Sequence, residues 1–211
     1  MPAPAPPSTE PRHRLTTGQR RQEIVATVLA LARERGPDAI TTQAIADRMG
    51  LTQGAVFRHF PDKQAIWLAV FAWVRGALGA AIERAVGKAD SPLAKIEAAF
   101  LAHVAFIAAN PGVPRVMFHE MQYPGDSPVR AEVRAMIASY RQRLTLLFRQ
   151  AKAAGELPRE LDATLAPVSY IGAVQGLVIE ASLAGDEAGM LKRARKLFAL
   201  LRDGYRGRRH P

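Results

Sequence analysis

Apolar residues recur along the chain every three or four positions, which is the spacing of one face of an α-helix. No segment alternates apolar and polar residues for long enough to predict a strand. Glycine, proline and helix-capping residues interrupt the pattern at intervals. The sequence therefore predicts an all-α fold of about nine helices, over residues 18–35, 43–49, 53–59, 61–82, 92–109, 114–121, 128–154, 163–183 and 187–203.

Two uncharged stretches, residues 98–114 and 163–179, are the segments that most resemble membrane spans. Each is slightly short for a span and contains proline together with polar residues, so we interpret both as buried helices and expect no membrane partner. Residues 1–17 form a proline-rich leader without an apolar core. This composition is typical of a disordered segment rather than a signal peptide, and it agrees with a cytoplasmic protein.

Composition excludes some chemistry and leaves other chemistry open. The chain of 211 residues has no cysteine, which excludes disulfides, thiolate nucleophiles and zinc fingers. Lys and Arg number 29 against 19 Asp and Glu, a net charge of +10. Such a charge predicts an anionic partner. The positive charge is unevenly distributed: the net charge is +3 over residues 1–63, 0 over residues 64–189 and +7 over residues 190–211. Residues 206–211 form a basic tail.

The predicted helices over 43–49 and 53–59 are separated by a three-residue turn that begins with Gly50. Two short helices joined in this way form a helix-turn-helix, whose second helix enters the major groove of DNA. Gln53 can pair with adenine, and Arg58 can reach guanine or phosphate. Gly54 has no side chain, so the start of this helix can approach the base edges closely. Thr52 can contact a phosphate or a thymine methyl.

Residues around these two helices supply candidate phosphate contacts. Lys63 lies in the first turn of the next helix, where a cation opposes the helix dipole and a phosphate would relieve the conflict. Thr42 is a second phosphate donor at the start of the first short helix. Phe57 and His59 are predicted to point outward, and an exposed aromatic side chain suggests contact with a partner. We therefore expect residues 18–64 to form a three-helix DNA-binding domain.

Residues 41–67, TTQAIADRMGLTQGAVFRHFPDKQAIW, resemble the DNA-binding region of the tetracycline-repressor (TetR) family of bacterial transcriptional regulators. The resemblance rests on the spacing of Thr42, Ile45-Ala46, Gly50, Gly54, His59-Phe60 and Lys63. One departure is Phe57, where the family usually has tyrosine, so a phenolic contact to phosphate is lost. The resemblance implies a nine-helix homodimer whose remaining helices, here residues 65–205, bind an effector and dimerise.

The remaining helices contain two further candidate surfaces. Bulky apolar residues and a few polar ones at helical spacing suggest a pocket for a hydrophobic ligand, although such stripes are also typical of plain core. The candidate ligand contacts are Phe100, His103, Val104, Ile107, Met117, Met121, Tyr140, Leu144, Phe148, Tyr170 and Val174, with Gln175 as a further polar group. The candidate dimer contacts, on the last two helices, are Gly172, Ala173, Gly176, Leu177, Leu197, Phe198 and Leu201.

No catalytic or metal site emerges from the sequence, and no cofactor is expected. His119-Glu120 lacks the second histidine that a zincin needs, since residue 123 is tyrosine. His103 and His119 could pair across helices, but a buried histidine bonded within the core is the better interpretation. We predict a DNA-binding repressor, homodimeric on a palindromic operator and released by a small hydrophobic effector. The alternatives are a helix-turn-helix regulator without a ligand and, in another class, an all-α enzyme.

Overall fold

A computed structural model of the chain describes residues 16–122, 124–186 and 189–207. Within those ranges the chain forms nine α-helices and one short 3₁₀ helix, Pro37–Ala39, and contains no strand. The all-α prediction is therefore confirmed. The helices are α1 (Thr17–Glu34), α2 (Thr42–Met49), α3 (Gln53–Phe57), α4 (Lys63–Val86), α5 (Pro92–Ala109), α6 (Gly112–Gln122), α7 (Pro128–Ala153), α8 (Ala166–Ala184) and α9 (Met190–Arg206).

Several helix ends differ from the prediction for local reasons. Helix α6 begins at Gly112, two residues early, because proline is accepted in a first helical turn and Pro114 occupies it. Helix α8 begins at Ala166, three residues late, because the Asp162 carboxylate accepts the N–H groups of Thr164 and Leu165 in a turn that precedes the helix. Helix α9 continues past Asp203 to Arg206. Residues 1–15, 187–188 and 208–211, and with them most of the predicted leader and tail, lie outside the described residues.

Among the described residues, three helices, α4, α5 and α8, are long and apolar enough to cross a membrane by length and composition alone. In the fold their apolar side chains supply much of one continuous core. On α5, the Phe100 ring lies 5.1 Å from that of Tyr170 on α8 and 5.4 Å from that of Phe198 on α9. The first contact is edge-to-face and the second is tilted, and aromatic contacts of this kind add stability beyond the area that they bury.

Helix α6 packs against α1 and connects the N-terminal three-helix unit to the larger helical body. The approach is closest at Gly112, where a Cβ atom would lie 2.2 Å from the Leu29 carbonyl oxygen. No side chain fits in that space, so only glycine allows the two backbones to come so near. Helix α4 provides a second connection, since it packs against α1, α5 and α7.

Candidate nucleic-acid interface and ligand pocket

Helices α2 and α3 are set at a fixed angle by a short turn and two side-chain caps. Gly50 ends α2 in the left-handed conformation, with φ 63° and ψ 36°. Thr41 accepts the Ala44 N–H at 3.0 Å, and Thr52 accepts the Ala55 N–H at 3.2 Å. Each cap satisfies an N–H that the first turn of a helix leaves free. The arrangement is a helix-turn-helix unit, as the sequence predicts.

The eight candidate DNA-contacting residues all belong to this unit or to the start of α4. Thr52, Gln53, Gly54, Phe57, Arg58 and Lys63 are exposed, and Thr42 and His59 are half-buried. Phe57 keeps 43% of its surface exposed, whereas the neighbouring Val56 and Phe60 are buried. The Gln53 side chain donates to the Thr42 hydroxyl at 2.7 Å, which joins the start of α3 to the start of α2.

The recognition helix is shorter than predicted. Helix α3 ends at Phe57, and the Arg58 N–H bonds to the carbonyl groups of Gly54 and Val56. Arg58 and His59 therefore lie in the turn that follows α3, and the predicted extension to residue 59 is wrong. The reason is local: residues 58–62 turn the chain so that Asp62 can cap α4, where its carboxylate accepts the Ala65 N–H at 2.7 Å.

Arg21 on α1 supports the end of α3, a role that sequence reasoning misses. Its guanidinium donates to the His59 carbonyl at 2.8 Å and lies 4.2 Å from the centre of the Phe60 ring. The hydrogen bond and the cation–π contact both hold the last turn of the unit against α1. No motif spacing could have revealed this contact, because 38 residues separate its partners.

A second long-range contact joins α1 to α2. The Arg48 guanidinium forms two hydrogen bonds with the Glu34 carboxylate, one of them at 3.0 Å. The hydrogen bond to Arg48 is the main cause that lowers the pKa of Glu34. Both side chains are exposed, so the pair orients α2 more than it stabilises the fold.

An apolar cavity of about 130 Å³ lies among helices α4 to α8. Six of the candidate ligand contacts line it: His103, Ile107, Met117, Met121, Tyr140 and Val174. Other wall residues that the sequence did not single out include Val74 and Leu78 of α4, Phe118 of α6 and Met136 of α7. Such a cavity, with few polar groups on an apolar wall, is typical of small-molecule sites.

The other five candidate ligand contacts lie elsewhere. Phe100, Val104, Phe148 and Tyr170 are buried core residues outside the cavity wall. Leu144 lines a separate groove between α4 and α7. A stripe of apolar residues at helical spacing does not distinguish core from cavity, because both bury the same kind of side chain. These five residues do not line this cavity, and their role as ligand contacts stays a prediction.

Two polar groups of the cavity wall, Tyr140 and His103, belong to a buried hydrogen-bonded chain that continues to Tyr170 in the core. The Tyr140 hydroxyl donates to the Tyr170 hydroxyl at 3.0 Å and lies 3.2 Å from His103 Nδ1. Burial lowers the pKa of His103 to about 4 and raises the pKa values of both tyrosines. All three groups are therefore neutral near pH 7. His119 does not join them, since it pairs with Asp38 at 3.5 Å on the surface.

The low pKa of His103 makes stability depend on pH. Between pH 6.5 and about 4 the unfolded chain binds a proton that the folded chain does not bind, so stability falls as the pH falls. The His103→Gln variant should lack this loss of unfolding free energy, which amounts to about 3 kcal/mol between pH 6.5 and about 4. Urea unfolding of both proteins at pH 7 and pH 4.5 measures the change in unfolding free energy, with His119→Gln as the surface control. Equal losses in wild type and His103→Gln would contradict the assignment.

An apolar stripe runs along the outer face of α8. Leu165, Val168, Ile179 and Leu183 are exposed at helical spacing, and Leu200 of α9 is exposed as well. Gly172 and Gly176 lie in the same row, and a Cβ atom at either position would meet no atom within 4 Å. The stripe therefore contains a shallow groove that another helix could enter.

The candidate dimer contacts divide between this face and the core. Gly172 and Gly176 are exposed, while Ala173, Leu197 and Leu201 are half-buried. Leu177 and Phe198 are buried within their own chain, so their assignment to a dimer interface is wrong. Both face inward because each lies on the side of its helix that packs on the chain's own core. Sequence reasoning misses the exposed Leu183 and Leu200.

The helix-turn-helix unit and the helical body with its cavity define a class of protein, the DNA-binding transcriptional regulators with a separate helical domain. Comparison with known families agrees. The pattern of the family described as bacterial regulatory proteins, tetR family, matches residues 24–70, and the tetracyclin repressor-like C-terminal domain matches residues 89–179. The chain belongs to the TetR family, as the resemblance of residues 41–67 implied.

Individual relatives have low sequence identity to this chain, but the similarity covers most of its length. The nucleoid occlusion factor SlmA of Vibrio vulnificus is 24% identical over 159 residues, covering 74% of this chain and 81% of that protein. The fatty acid degradation regulator FadR of Bacillus halodurans superposes with a TM-score of 0.79 at 20% identity, covering 90% of this chain and 97% of that one. FadR of Bacillus subtilis, solved in complex with stearoyl-CoA, superposes with a TM-score of 0.74 at 18% identity, covering 87% of this chain and 98% of that one. At these identities the structural likeness shows the fold.

Proposed function

We propose that the chain is a homodimeric repressor that binds a palindromic operator and is released from it by a small hydrophobic effector. One observation carries the effector part of this proposal: two helices, α4 and α6, line the apolar cavity and also pack against α1 of the DNA-binding unit. The protein would then act where the chromosome is, in the cytoplasm or on the nucleoid.

The DNA contacts proposed are the exposed residues of the helix-turn-helix unit. Gln53 and Arg58 carry the donor groups that read adenine and guanine, and Lys63, Thr42 and Thr52 can hold phosphates. Phe57 is apolar and exposed, which suits contact with a sugar or a thymine methyl. We propose that His59 contacts the DNA backbone.

The coupling between cavity and DNA would run through two helices. Helix α4 places Val74 and Leu78 on the cavity wall and Lys63 at its N-terminus. Helix α6 is a second connection. Its Arg115 donates to the Arg33 carbonyl of α1 at 2.8 Å, and its Gly112 lies against Leu29.

An effector that displaces either helix would shift the three-helix unit and change the separation of the two recognition helices in the dimer. The expected coupling free energy is on the order of 1–3 kcal/mol. The apolar wall supports a hydrophobic effector. Stearoyl-CoA, the molecule in complex with FadR of Bacillus subtilis, has a long apolar chain, which is consistent with this class of ligand.

The dimer is proposed to form through the outer faces of α8 and α9. The apolar stripe on α8 would pack against its copy in a four-helix arrangement, with Gly172 and Gly176 at the closest approach. Two recognition helices held in this way could enter successive major grooves, about 34 Å apart or a multiple of that distance.

The Ile179→Glu variant tests this interface. A carboxylate in the apolar stripe would have to be buried when two copies pack together, so the dissociation constant of the dimer should rise at least about a hundredfold. Leu146→Glu on α7 is the matched control, because Leu146 is 52% exposed and Ile179 is 51% exposed. Analytical ultracentrifugation should find Ile179→Glu monomeric and Leu146→Glu dimeric. A dimeric Ile179→Glu protein would place the interface elsewhere.

A selection and release experiment tests the function as a whole. Genomic fragments captured by the purified protein should share an approximate palindrome, and hydrophobic compounds should release at least one fragment. Capture without release by any compound would favour the regulator without a ligand. Failure to capture any fragment would contradict the regulator assignment itself and reopen the enzyme alternative.

A further inference from the structure

The apolar cavity is too small to hold a complete effector. Its volume of about 130 Å³ lies well below the ~300–1,000 Å³ typical of ligand sites. A ligand that enters it must therefore extend outside. Two surface grooves adjoin the cavity, and each shares wall residues with it.

The first groove lies between α4 and α7 and has a volume of about 380 Å³. It shares Leu78, Met136 and Tyr140 with the cavity. Its two arginines already have carboxylate partners across the helices: Arg75 pairs with Glu132 at 2.7 Å, and Arg143 pairs with Glu83 at 3.1 Å. The charge of this groove is therefore balanced.

The second groove lies between α6 and the end of α8, next to the end of α1, and has a volume of about 260 Å³. It shares Ile107, Pro114, Phe118 and Val178 with the cavity. Among the residues that the structure describes, its charged lining residues are Arg33 and Arg115, and none is a carboxylate. In the part of the chain that the structure describes, neither arginine forms an ion pair.

The two arginines line the same groove. The Arg115 guanidinium donates to the backbone carbonyl of Arg33 at one opening of the apolar cavity. An anion bound there would be attracted to both positive charges. Guanidinium groups also match the geometry of carboxylates and phosphates, to which they donate paired hydrogen bonds.

We propose that the effector is an amphipathic anion. Its apolar chain occupies the cavity, and its anionic group binds Arg33 and Arg115 at the mouth of the groove between α6 and α8. The inference rests on the proposed function and names the chemical class of its ligand. Because Arg33 belongs to α1, the anion would contact the DNA-binding unit directly, and it would compete for the Arg115 guanidinium that now bonds to α1.

Two probes with the same ten-carbon chain, decanoate and decan-1-ol, test the proposal by calorimetric titration of the full-length protein at pH 7.4. Decanoate should bind about tenfold more tightly, as expected for charge-assisted hydrogen bonds to the anion. The double variant Arg33→Gln/Arg115→Gln should lose this preference and retain its affinity for the alcohol. Arg115→Lys, which keeps the charge, should retain part of the preference. Circular dichroism verifies that each variant is folded.

The matched control is Arg75→Gln/Arg143→Gln in the other groove, which should prefer decanoate as the wild type does. Loss of the preference in this control instead would place the anion between α4 and α7 and overturn the inference. Equal binding of the two probes by the wild type, with release of operator DNA by both, would also overturn it while leaving the proposed function intact. If neither these probes nor any other hydrophobic compound binds, the proposed function fails together with the inference.

Discussion

Replacing Gly112 by alanine is expected to destabilise the chain by about 3 kcal/mol, a large effect for one methyl group. The added Cβ would lie 2.2 Å from the Leu29 carbonyl oxygen and 3.3 Å from the Ala32 Cβ. The nearest atom is backbone inside a helix, which cannot rotate away as a side chain can. Helix α6 must therefore move away from α1, and buried packing between them is lost. Urea unfolding followed by circular dichroism measures the change.

Gly204→Ala is the matched control for this substitution. Gly204 is an exposed residue of α9, and a Cβ there would meet no atom within 4 Å. Alanine should stabilise that helix by about 0.5–1 kcal/mol, because it restricts the unfolded chain more than glycine does. A Gly112→Ala protein as stable as the wild type would mean that α1 and α6 do not approach as closely as described.

Removing Arg58 and Lys63 together is expected to abolish specific DNA binding. Each contact to a base edge or phosphate contributes on the order of 1–3 kcal/mol, so Arg58→Ala/Lys63→Ala should bind operator DNA at least about thirtyfold more weakly. Both side chains are exposed, so the fold should be unaffected. Fluorescence anisotropy at one fixed salt concentration measures the affinity, because electrostatic binding depends strongly on salt.

The control for the double variant removes the same amount of charge elsewhere. Lys192 and Arg195 are exposed on α9, in the segment that holds most of the chain's positive excess. Lys192→Gln/Arg195→Gln should change operator affinity by no more than a few-fold. If both double variants weaken binding equally, the net charge of the chain matters more than the geometry of the helix-turn-helix unit.

The helix-turn-helix unit could be predicted from the sequence because its determinants are local. Thr41 and Thr52 cap helices that begin at the next residue, and Gly50 ends a helix in the one conformation that favours glycine. Each of these signals acts over three or four residues. The predicted recognition helix is nevertheless two residues too long, since its end depends on how the following turn meets α4.

The cavity and the apolar face of α8 and α9 could be predicted only in part, because both depend on which side of a helix faces which neighbour. Phe198 and Leu200 lie two residues apart on α9, and composition alone gives no reason to bury the first and expose the second. Arg21 and Gly112 act through partners far away in the chain. Contacts of this kind follow from the packing of whole helices, which one sequence without an alignment does not determine.

Helix α6 has one face on the apolar cavity and another against α1, and thermodynamic linkage makes any coupling through it symmetrical. An effector that weakens operator binding by some factor must itself bind the operator-bound dimer more weakly by the same factor. Free dimer therefore captures effector before operator-bound dimer does. The effector concentration at which a promoter responds would then rise with the amount of the regulator in the cell and with its affinity for that promoter. Operators of different affinity would therefore respond to one effector at different effector concentrations.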